Sequence, residues 1–493
     1  MSREDEIIKE RLKKIEELRK EKIDPFPTKF DKQNNALEIF EKYKKLKEEE
    51  KGKEKIILAG RLLTKRDLGK INFAHIQDET GKIQIVVSED YSGKDIVNFF
   101  NKKLDTGDIV GVEGIPYKTK RGEISILAKK LILLTKSILP LPEKFHGLQD
   151  VEARYRQRYL DLITNPEVKN LFKKRCEFIK NIREFLDKNG FLEVETPVLE
   201  LKTGGAEARP FITHHNTLDV DMYLRISLEL YLKRLIIGGY EKVYELAKVF
   251  RNEGMSSEHL QEFTLLEFYW TWHDYNDLMD FTEKMIKEII KKTFNTLKIK
   301  YKTHELDFSK SFQKYDYCEL IKKKTGIDLL KEDTKEKLVN AIKSKKLEKD
   351  IDLNLGLGRI VDQLYKRHVR ESLIQPCFII NHPVSVSPLA KRKKDNLFLT
   401  ERLSLLVAGA EIVNGFSELN DPIDQEERFK EQQKMRDAGD EEAQMMDEDF
   451  ITALKIGMPP TAGFGLGIDR FFTILTNSES IREIVFFPMM KEE

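Results

Sequence analysis

Three short stretches carry residue types whose spacing could do chemistry. The first is Phe250-Arg251-Asn252-Glu253-Gly254, followed by His259 and then a run from Glu262 to Tyr269. Two strand-like runs flank a polar loop. In the second run Phe263, Leu265, Glu267 and Tyr269 are two apart, so they share one face of a sheet. An aromatic, a carboxylate and a phenol beside Arg251 make a poor hydrophobic core and a suitable floor for a charged ligand. The second stretch runs from Glu411 to Glu418 through Asn414 and Phe416. Its carboxylates are costly to bury unless they meet a cation or a metal. The third alternates Gly463, Gly465 and Gly467 and ends in Asp469-Arg470. Such glycines leave one strand face bare, for close strand packing or for a flat ligand. Arg470 then opens a helix.

These stretches need a sheet to hold them. From Val151 onward, helices such as Val168–Asn189 alternate with strands such as Lys242–Phe250 and Glu262–Tyr269, without a regular βαβ repeat. Neither a Rossmann nor a P-loop glycine pattern occurs. The expected class is α+β with an antiparallel sheet flanked by helices. Residues 274–350 read as a helical, lysine-rich insertion. Upstream, β-rich runs fall at Ile56–Leu63, Ile71–Gln77, Lys82–Val87, Ile109–Pro116 and Glu123–Leu134, with a helix at Asp95–Asn101 between the third and fourth. That is the layout of a five-stranded OB-fold β-barrel, a frequent reader of single-stranded nucleic acid. Before it, Ile7, Ile8, Leu12, Ile15 and Leu18 predict an amphipathic helix over 3–22, broken at Asp24-Pro25, and a second helix from Ala36 to Glu50. Lys9, Lys13 and Lys20 on the first helix form either a solvated face or an RNA contact. Pro140 and Pro142 mark a linker. The expected domains are therefore 1–50, a helical extension; 51–139, the barrel; and 140–493, the domain carrying the three stretches.

Length and composition agree. The chain has 493 residues, 40% apolar and 35% charged, enough for two to four domains on the usual ~100–200 residues each. A net charge of +1 gives no global preference for polyanions, so a nucleic-acid footprint must be local. Cys176, Cys318 and Cys377 are far apart and odd in number. They point away from a disulfide framework or structural zinc and toward a reducing, cytoplasmic setting. The N-terminus lacks the apolar region of a signal peptide. No apolar run approaches the ~18 residues that cross a bilayer, so no membrane partner is expected.

In this order, the first and third stretches resemble motifs 2 and 3 of the class II aminoacyl-tRNA synthetases. Gly190-Phe191-Leu192-Glu193-Val194-Glu195-Thr196-Pro197 resembles motif 1, a dimer-forming helix and strand. The finer resemblance is to the lysyl-tRNA synthetases. It rests on Thr203-Gly204-Gly205-Ala206, Ala208-Arg209-Pro210-Phe211, Leu224-Arg225-Ile226, Tyr231-Leu232-Lys233-Arg234, Asn414 to Asp421 and Gly457 to Arg470.

The resemblance implies a cytoplasmic homodimer that activates L-lysine with ATP and Mg²⁺ and transfers it to the 3′ end of tRNA(Lys). It implies that Arg251, Arg470 and Glu411 are catalytic. Arg251 would hold the α-phosphate and the lysine carboxylate. Phe263 and Arg470 would sandwich the adenine, Glu253 would accept from its amino group, and His259 would reach the outer phosphates. Glu411 would bind the metal. Glu229, Tyr269 and Glu418 would surround the side-chain ammonium, Gly205 and Glu267 the α-ammonium, Asn414 the carboxylate, and Phe416 the methylene stem. In the barrel, Phe73 and Gln84 resemble the anticodon readers, with Arg66 and Glu123 as helpers; Phe73 reads equally as a core residue. Three positions depart from the family pattern: Ser404 stands where a second metal-binding glutamate is usual, Glu258 where an arginine precedes the histidine, and Ala410 where an arginine is common. Aspartyl- and asparaginyl-tRNA synthetases share this architecture, but their substrate needs cations where this chain has acids and a phenol. A lysine ligase that modifies a protein in place of tRNA would lack the barrel. An RNA-binding module with an inactive core is the reading that Ser404 and Glu258 favour, and it would show no lysine-dependent exchange of pyrophosphate into ATP.

Overall fold

The structure, a computed structural model, describes residues 2–142, 148 and 150–492. Its two units divide between Gly147 and Leu148, so Pro140 and Pro142 belong to the first unit and the division falls after them, not at 139/140.

In the N-terminal unit, β1 (Ile56–Asp67), β2 (Ile71–Gln77), β3 (Lys82–Ser88), β4 (Ile109–Lys118) and β5 (Ile124–Thr135) close a barrel in the order β1-β2-β3-β5-β4. Period-two alternation decides which side chains fill it. On β2, Asn72, Ala74 and Ile76 are buried while Phe73, His75 and Gln77 stay partly exposed. The helix Lys94–Lys103 sits between β3 and β4 and buries Phe100 completely. The N-terminal helices Arg3–Lys20 and Ala36–Tyr43 share the same core through Leu18, Ala36 and Ile39.

Two expectations change here. Leu12 is exposed, and its neighbour Arg11 is buried instead. The Arg11 guanidinium donates to the carbonyls of Thr106, Ser137 and Leu139 at 2.9–3.0 Å. Those carbonyls need a donor more than an apolar cover. The second helix stops at Tyr43, not Glu50, because the chain beyond it turns to pair with β4: Glu49 and Gly52 donate to the carbonyls of Lys118 and Pro116.

The second unit is built on an eight-stranded sheet. In chain order its strands are β6 (Leu192–Glu193), a small separate sheet of β7 (Leu199–Glu200), β8 (Ile212–His215) and β9 (Val220–Leu224), then β10 (Lys242–Phe250), β11 (Glu262–Thr271), a hairpin of β12 (Lys298–Tyr301) and β13 (His304–Asp307), β14 (Gln313–Asp316), β15 (Cys377–Ile380), β16 (Arg402–Val407), β17 (Ala410–Ser417) and β18 (Thr461–Gly467). The main sheet runs β14-β15-β16-β17-β18-β11-β10-β6. Neighbours are antiparallel except at the two edges, β14 with β15 and β10 with β6. Helices Pro166–Lys188 and Tyr275–Phe294 bury Phe178, Ile182, Leu278 and Ile289 with Leu266 and Phe268 of β11. Leu265, Glu267 and Tyr269 therefore point to the opposite face.

The segment 274–350 is not a purely helical insertion. Its first helix is part of the main core, and β14 is an edge strand of the main sheet. The helices Tyr317–Thr325 and Lys335–Ser344 follow. Four-residue strands in lysine-rich sequence carry too little periodicity to announce themselves, and pairing partners far along the chain define them.

Candidate active site

A cavity of about 570 Å³ lies on the face of the sheet turned away from the core helices. Strand register explains the glycine ladder. Leu265, Glu267 and Tyr269 of β11 stand opposite Gly467, Gly465 and Gly463 of β18. A Cβ on Gly463 would come within 1.8 Å of Glu418 Oε1 and 2.8 Å of the Tyr269 ring. Only a bare position lets these two groups share the floor. A bulge at Leu405/Leu406 sets the rest of that floor. In an unbroken strand Glu411 and Asn414, three residues apart, would face opposite ways; the bulge breaks that alternation, and Glu411, Asn414, Phe416 and Glu418 all line one cavity.

The acidic end comes first. Glu229 opens the helix Glu229–Ile237, and Lys233 follows one turn later. Lys233 Nζ lies 2.5 Å from Glu229 Oε1, ion-pairs with Glu418, and stands 5.5 Å over the Phe416 ring. All of these side chains are buried. Burial alone would push the Lys233 ammonium down, but Glu229 and Glu418 more than offset it and hold it protonated. Two carboxylates thus share one ammonium, and burial lifts both, Glu418 well above the usual carboxylate range. Burial, then the Glu229 charge, pushes Glu267 up to about 7, although it accepts hydrogen bonds from Ser227 Oγ (2.8 Å), the Leu228 N–H (3.1 Å) and Tyr269 OH (3.1 Å).

The sequence placed Glu229, Tyr269 and Glu418 around an incoming ammonium and did not anticipate Lys233 among them. A resident cation already stands between the two acids. Sequence reasoning missed it because Glu and Lys four apart on a helix read as a surface pair. The signal was there: the same helix carries Leu230, Leu232 and Ile236, all buried.

Gly205 has φ +82°, and a Cβ there would meet Ser227 Oγ at 2.8 Å. Its N–H donates to Gln444 Oε1 at 3.3 Å. Asn414 Oδ1 accepts from Arg402 Nε at 2.8 Å, which turns the amide nitrogen elsewhere, as a carboxylate donor requires. Arg402 and Gln444 were not legible as site residues, since each acts through another group.

The cationic end lies beyond Glu267. Arg251 Nε donates to the Ile226 carbonyl at 3.3 Å, and the guanidinium lies 5.1 Å over the Phe263 ring. Burial lowers its proton affinity, while Glu253 and Glu267 raise it. Glu253 stands on the exposed loop between β10 and β11, where its carbonyl accepts from Gln261 Nε2 at 3.0 Å. His259 pairs through Nδ1 with Ser256 Oγ at 2.8 Å and through Nε2 with Arg470 Nη2 at 2.9 Å. Partial burial and the Arg470 charge hold its ring below the usual histidine value, so the neutral ring accepts from the guanidinium. Arg470 also donates to the Glu411 carbonyl at 3.1 Å. Its neighbour Asp469 anchors the helix start by accepting from the Thr264 N–H at 2.7 Å and pairing with Arg175.

Glu411 Oε2 accepts from Ser404 Oγ at 3.0 Å, and Ser404 Oγ lies 3.4 Å from Nε2 of buried His382. No group of three or more His, Cys, Asp or Glu side chains among the described residues could cage a metal. One carboxylate completed by phosphate oxygens and water suits Mg²⁺, which dehydrates reluctantly.

In the barrel unit, Arg66 is cross-strand to Phe73, and His75 to Gln84. Glu123 joins the last two: it accepts from Gln84 Nε2 at 2.7 Å and meets His75 Nε2 at 2.8 Å. Ser125 Oγ donates to Gln84 Oε1 at 2.9 Å. Phe73 is half-buried on the outer surface and is not part of the barrel core. His75, unassigned from sequence, belongs to this network.

Residues 150–491 match the family model for class II tRNA synthetases of the D, K and N group, and residues 56–134 match that of the OB-fold nucleic acid binding domain. A lysine–tRNA ligase of Thermotoga maritima is 50% identical over 487 residues, 99% of this chain and 96% of that protein. The chain belongs to the lysine–tRNA ligase family. Other lysine–tRNA ligases agree: that of Carboxydothermus hydrogenoformans is 48% identical over 99% of this chain and 98% of its own length, and that of Staphylococcus epidermidis 47% over 98% of each. For a lysine–tRNA ligase family member, the fold expectation holds in both parts, a five-stranded barrel and a class II catalytic unit. No helix among the described residues is long and apolar enough to cross a membrane.

Proposed function

We propose that this member of the family activates L-lysine with ATP to lysyl-adenylate and transfers it to the 3′ end of tRNA(Lys). The observation that carries this is the charge shortage at the acidic end. Glu229 and Glu418 share one resident ammonium, with Glu267 beside them. Three carboxylates against one ammonium leave the acidic end short of a second cation, which the side-chain ammonium of lysine supplies. A neutral or acidic side chain would leave buried carboxylates uncompensated, which is strongly unfavourable.

The chain's own residues then act mostly by positioning and charge neutralisation. Glu418 and Tyr269 meet the side-chain ammonium, with Glu229 acting on it through Lys233. Gly205 and Glu267 take the α-ammonium, the Asn414 amide the carboxylate, and Phe416 packs beside the stem. Arg251 holds the attacking carboxylate against the α-phosphate and stabilises the charge that builds there as pyrophosphate leaves. Phe263 and Arg470 sandwich the adenine, Glu253 receives its amino group, and His259 reaches the outer phosphates. Glu411 would hold Mg²⁺, which neutralises phosphate charge. The terminal ribose hydroxyl of tRNA then attacks the activated carbonyl. Phe73 and the Gln84–Glu123–His75 network, with Arg66, read the anticodon by stacking and base-edge hydrogen bonds.

We assign the chain to the cytoplasm and to a homodimer. Leu192, Val198, Leu199, Leu201 and Ile212 are all exposed on one stretch that begins in the motif 1 segment. A second copy covers such a surface. A monomeric mass by light scattering at micromolar concentration refutes the dimer.

The test of function is exchange of labelled pyrophosphate into ATP with each of the twenty amino acids, with and without Mg²⁺. Exchange with lysine alone, dependent on Mg²⁺, is expected. Exchange with aspartate or asparagine refutes the pocket, and no exchange at all refutes the activity.

A further inference from the structure

Glu258 puts a negative charge at the end of the cavity where the outer phosphates of ATP would lie. The loop beside it offers no compensating lysine or arginine between Asn252 and Gln261. The helix Leu357–His368 and the turn Arg370–Ser372 that follows do. Arg359, Asp362, Lys366 and Arg370 recur at helical spacing and all line the cavity. Three of them are already engaged. Arg359 pairs with Glu442 at 3.0 Å and Glu207 at 3.3 Å, and Lys366 pairs with Asp362 at 2.7 Å. Arg370 differs: its Nε is buried and has no hydrogen-bond partner among the described residues.

Arg370 also stands close to the cluster at the cavity mouth. Its charge acts on both His259 and Arg470, as does that of Glu258. Glu411, Glu258 and Glu253 also act on Arg470, but Glu411 is the carboxylate read as the metal ligand, so at the phosphate end Arg370 is the cation placed to face Glu258. A buried guanidinium Nε without a partner is costly to keep unless an acceptor completes it. We propose that Arg370 is a polyphosphate-binding residue, which takes the outer phosphates of ATP and the departing pyrophosphate from the helix side and so offsets Glu258. The inference rests on the reading of this cavity as an ATP site. It adds a contact that motif 2 and motif 3 do not supply.

The test is titration calorimetry of the full chain with inorganic pyrophosphate and, separately, with AMP, both in the presence of Mg²⁺. Arg370→Ala is expected to weaken pyrophosphate by roughly 10-fold or more, the effect of losing one charge-assisted hydrogen bond. AMP, which lacks the outer phosphates, should bind as before. Glu258→Gln is expected to tighten pyrophosphate, and it tests the idea even where Arg370→Ala does not fold. The proposal is overturned by equal losses for AMP and pyrophosphate, by an unchanged pyrophosphate affinity in Arg370→Ala, or by weaker pyrophosphate binding in Glu258→Gln. Wild-type protein that binds neither AMP nor pyrophosphate would overturn the ATP reading itself, which separates the two failures.

Discussion

Lys233 ion-pairs with Glu418 beneath the cavity, and neither side chain reaches solvent. The pair joins a helix of the second unit to the end of β17, so one contact serves both packing and ligand recognition. Lys233→Met should strand two buried carboxylates. We expect a stability loss of about 3–5 kcal/mol, the usual effect of breaking a buried pair from one side, together with a raised KM for lysine. Chemical denaturation with and without lysine checks both. Wild-type stability in the variant would mean that the carboxylates do not depend on this ammonium.

Gly463→Ala tests the ladder. The new methyl would collide with the Glu418 carboxylate and the Tyr269 ring. Displacing those groups by even an ångström should raise the KM for lysine by about 100-fold, with a much smaller change in the KM for ATP. Equal changes in both constants would show a general loss of the sheet instead of a local block.

Lysine binding should depend on pH with a defined sign. In the ligand-free protein Glu267 keeps its proton up to about 7, and Glu418 is raised as well. An incoming ammonium favours their ionised forms, so lysine should bind more tightly as pH rises through 7 and should release protons. The slope should not exceed about tenfold per pH unit for each proton released. Calorimetry in buffers of different ionisation enthalpy measures that release; proton uptake would be the opposite result. The same raised value has a converse effect on the empty fold. Between 4.5, the ordinary glutamate value, and about 7, the unfolded chain gives up this proton first, so stability should fall with rising pH.

Ser404→Ala removes the hydroxyl that donates to Glu411 at 3.0 Å. Losing a hydrogen bond that orients a metal-binding carboxylate typically costs 10- to 100-fold in metal affinity; here we expect the Mg²⁺ concentration for half-maximal exchange to rise by about 10-fold. An unchanged Mg²⁺ requirement would mean that Ser404 does not position Glu411.

Much of this molecule follows from the sequence by itself, where short-range periodicity speaks. The alternation over Ile71–Gln77 and Lys242–Phe250 gives those strands their observed bounds. Glu267 and Tyr269 share a face because strand side chains repeat every two residues, and three alternate glycines announce a bare strand. What only the tertiary structure decided involves partners far apart in the chain. Lys233 is a core cation and not a surface one because Glu418, just past the end of β17, reaches it. Arg11 is buried and Leu12 exposed because distant carbonyls converge on the guanidinium. Glu411 joins the cavity because a bulge breaks the alternation that would turn it elsewhere. Local pattern sets which way a side chain points along its own element; desolvation and pairing, which depend on what packs against that element, set what its charge can do.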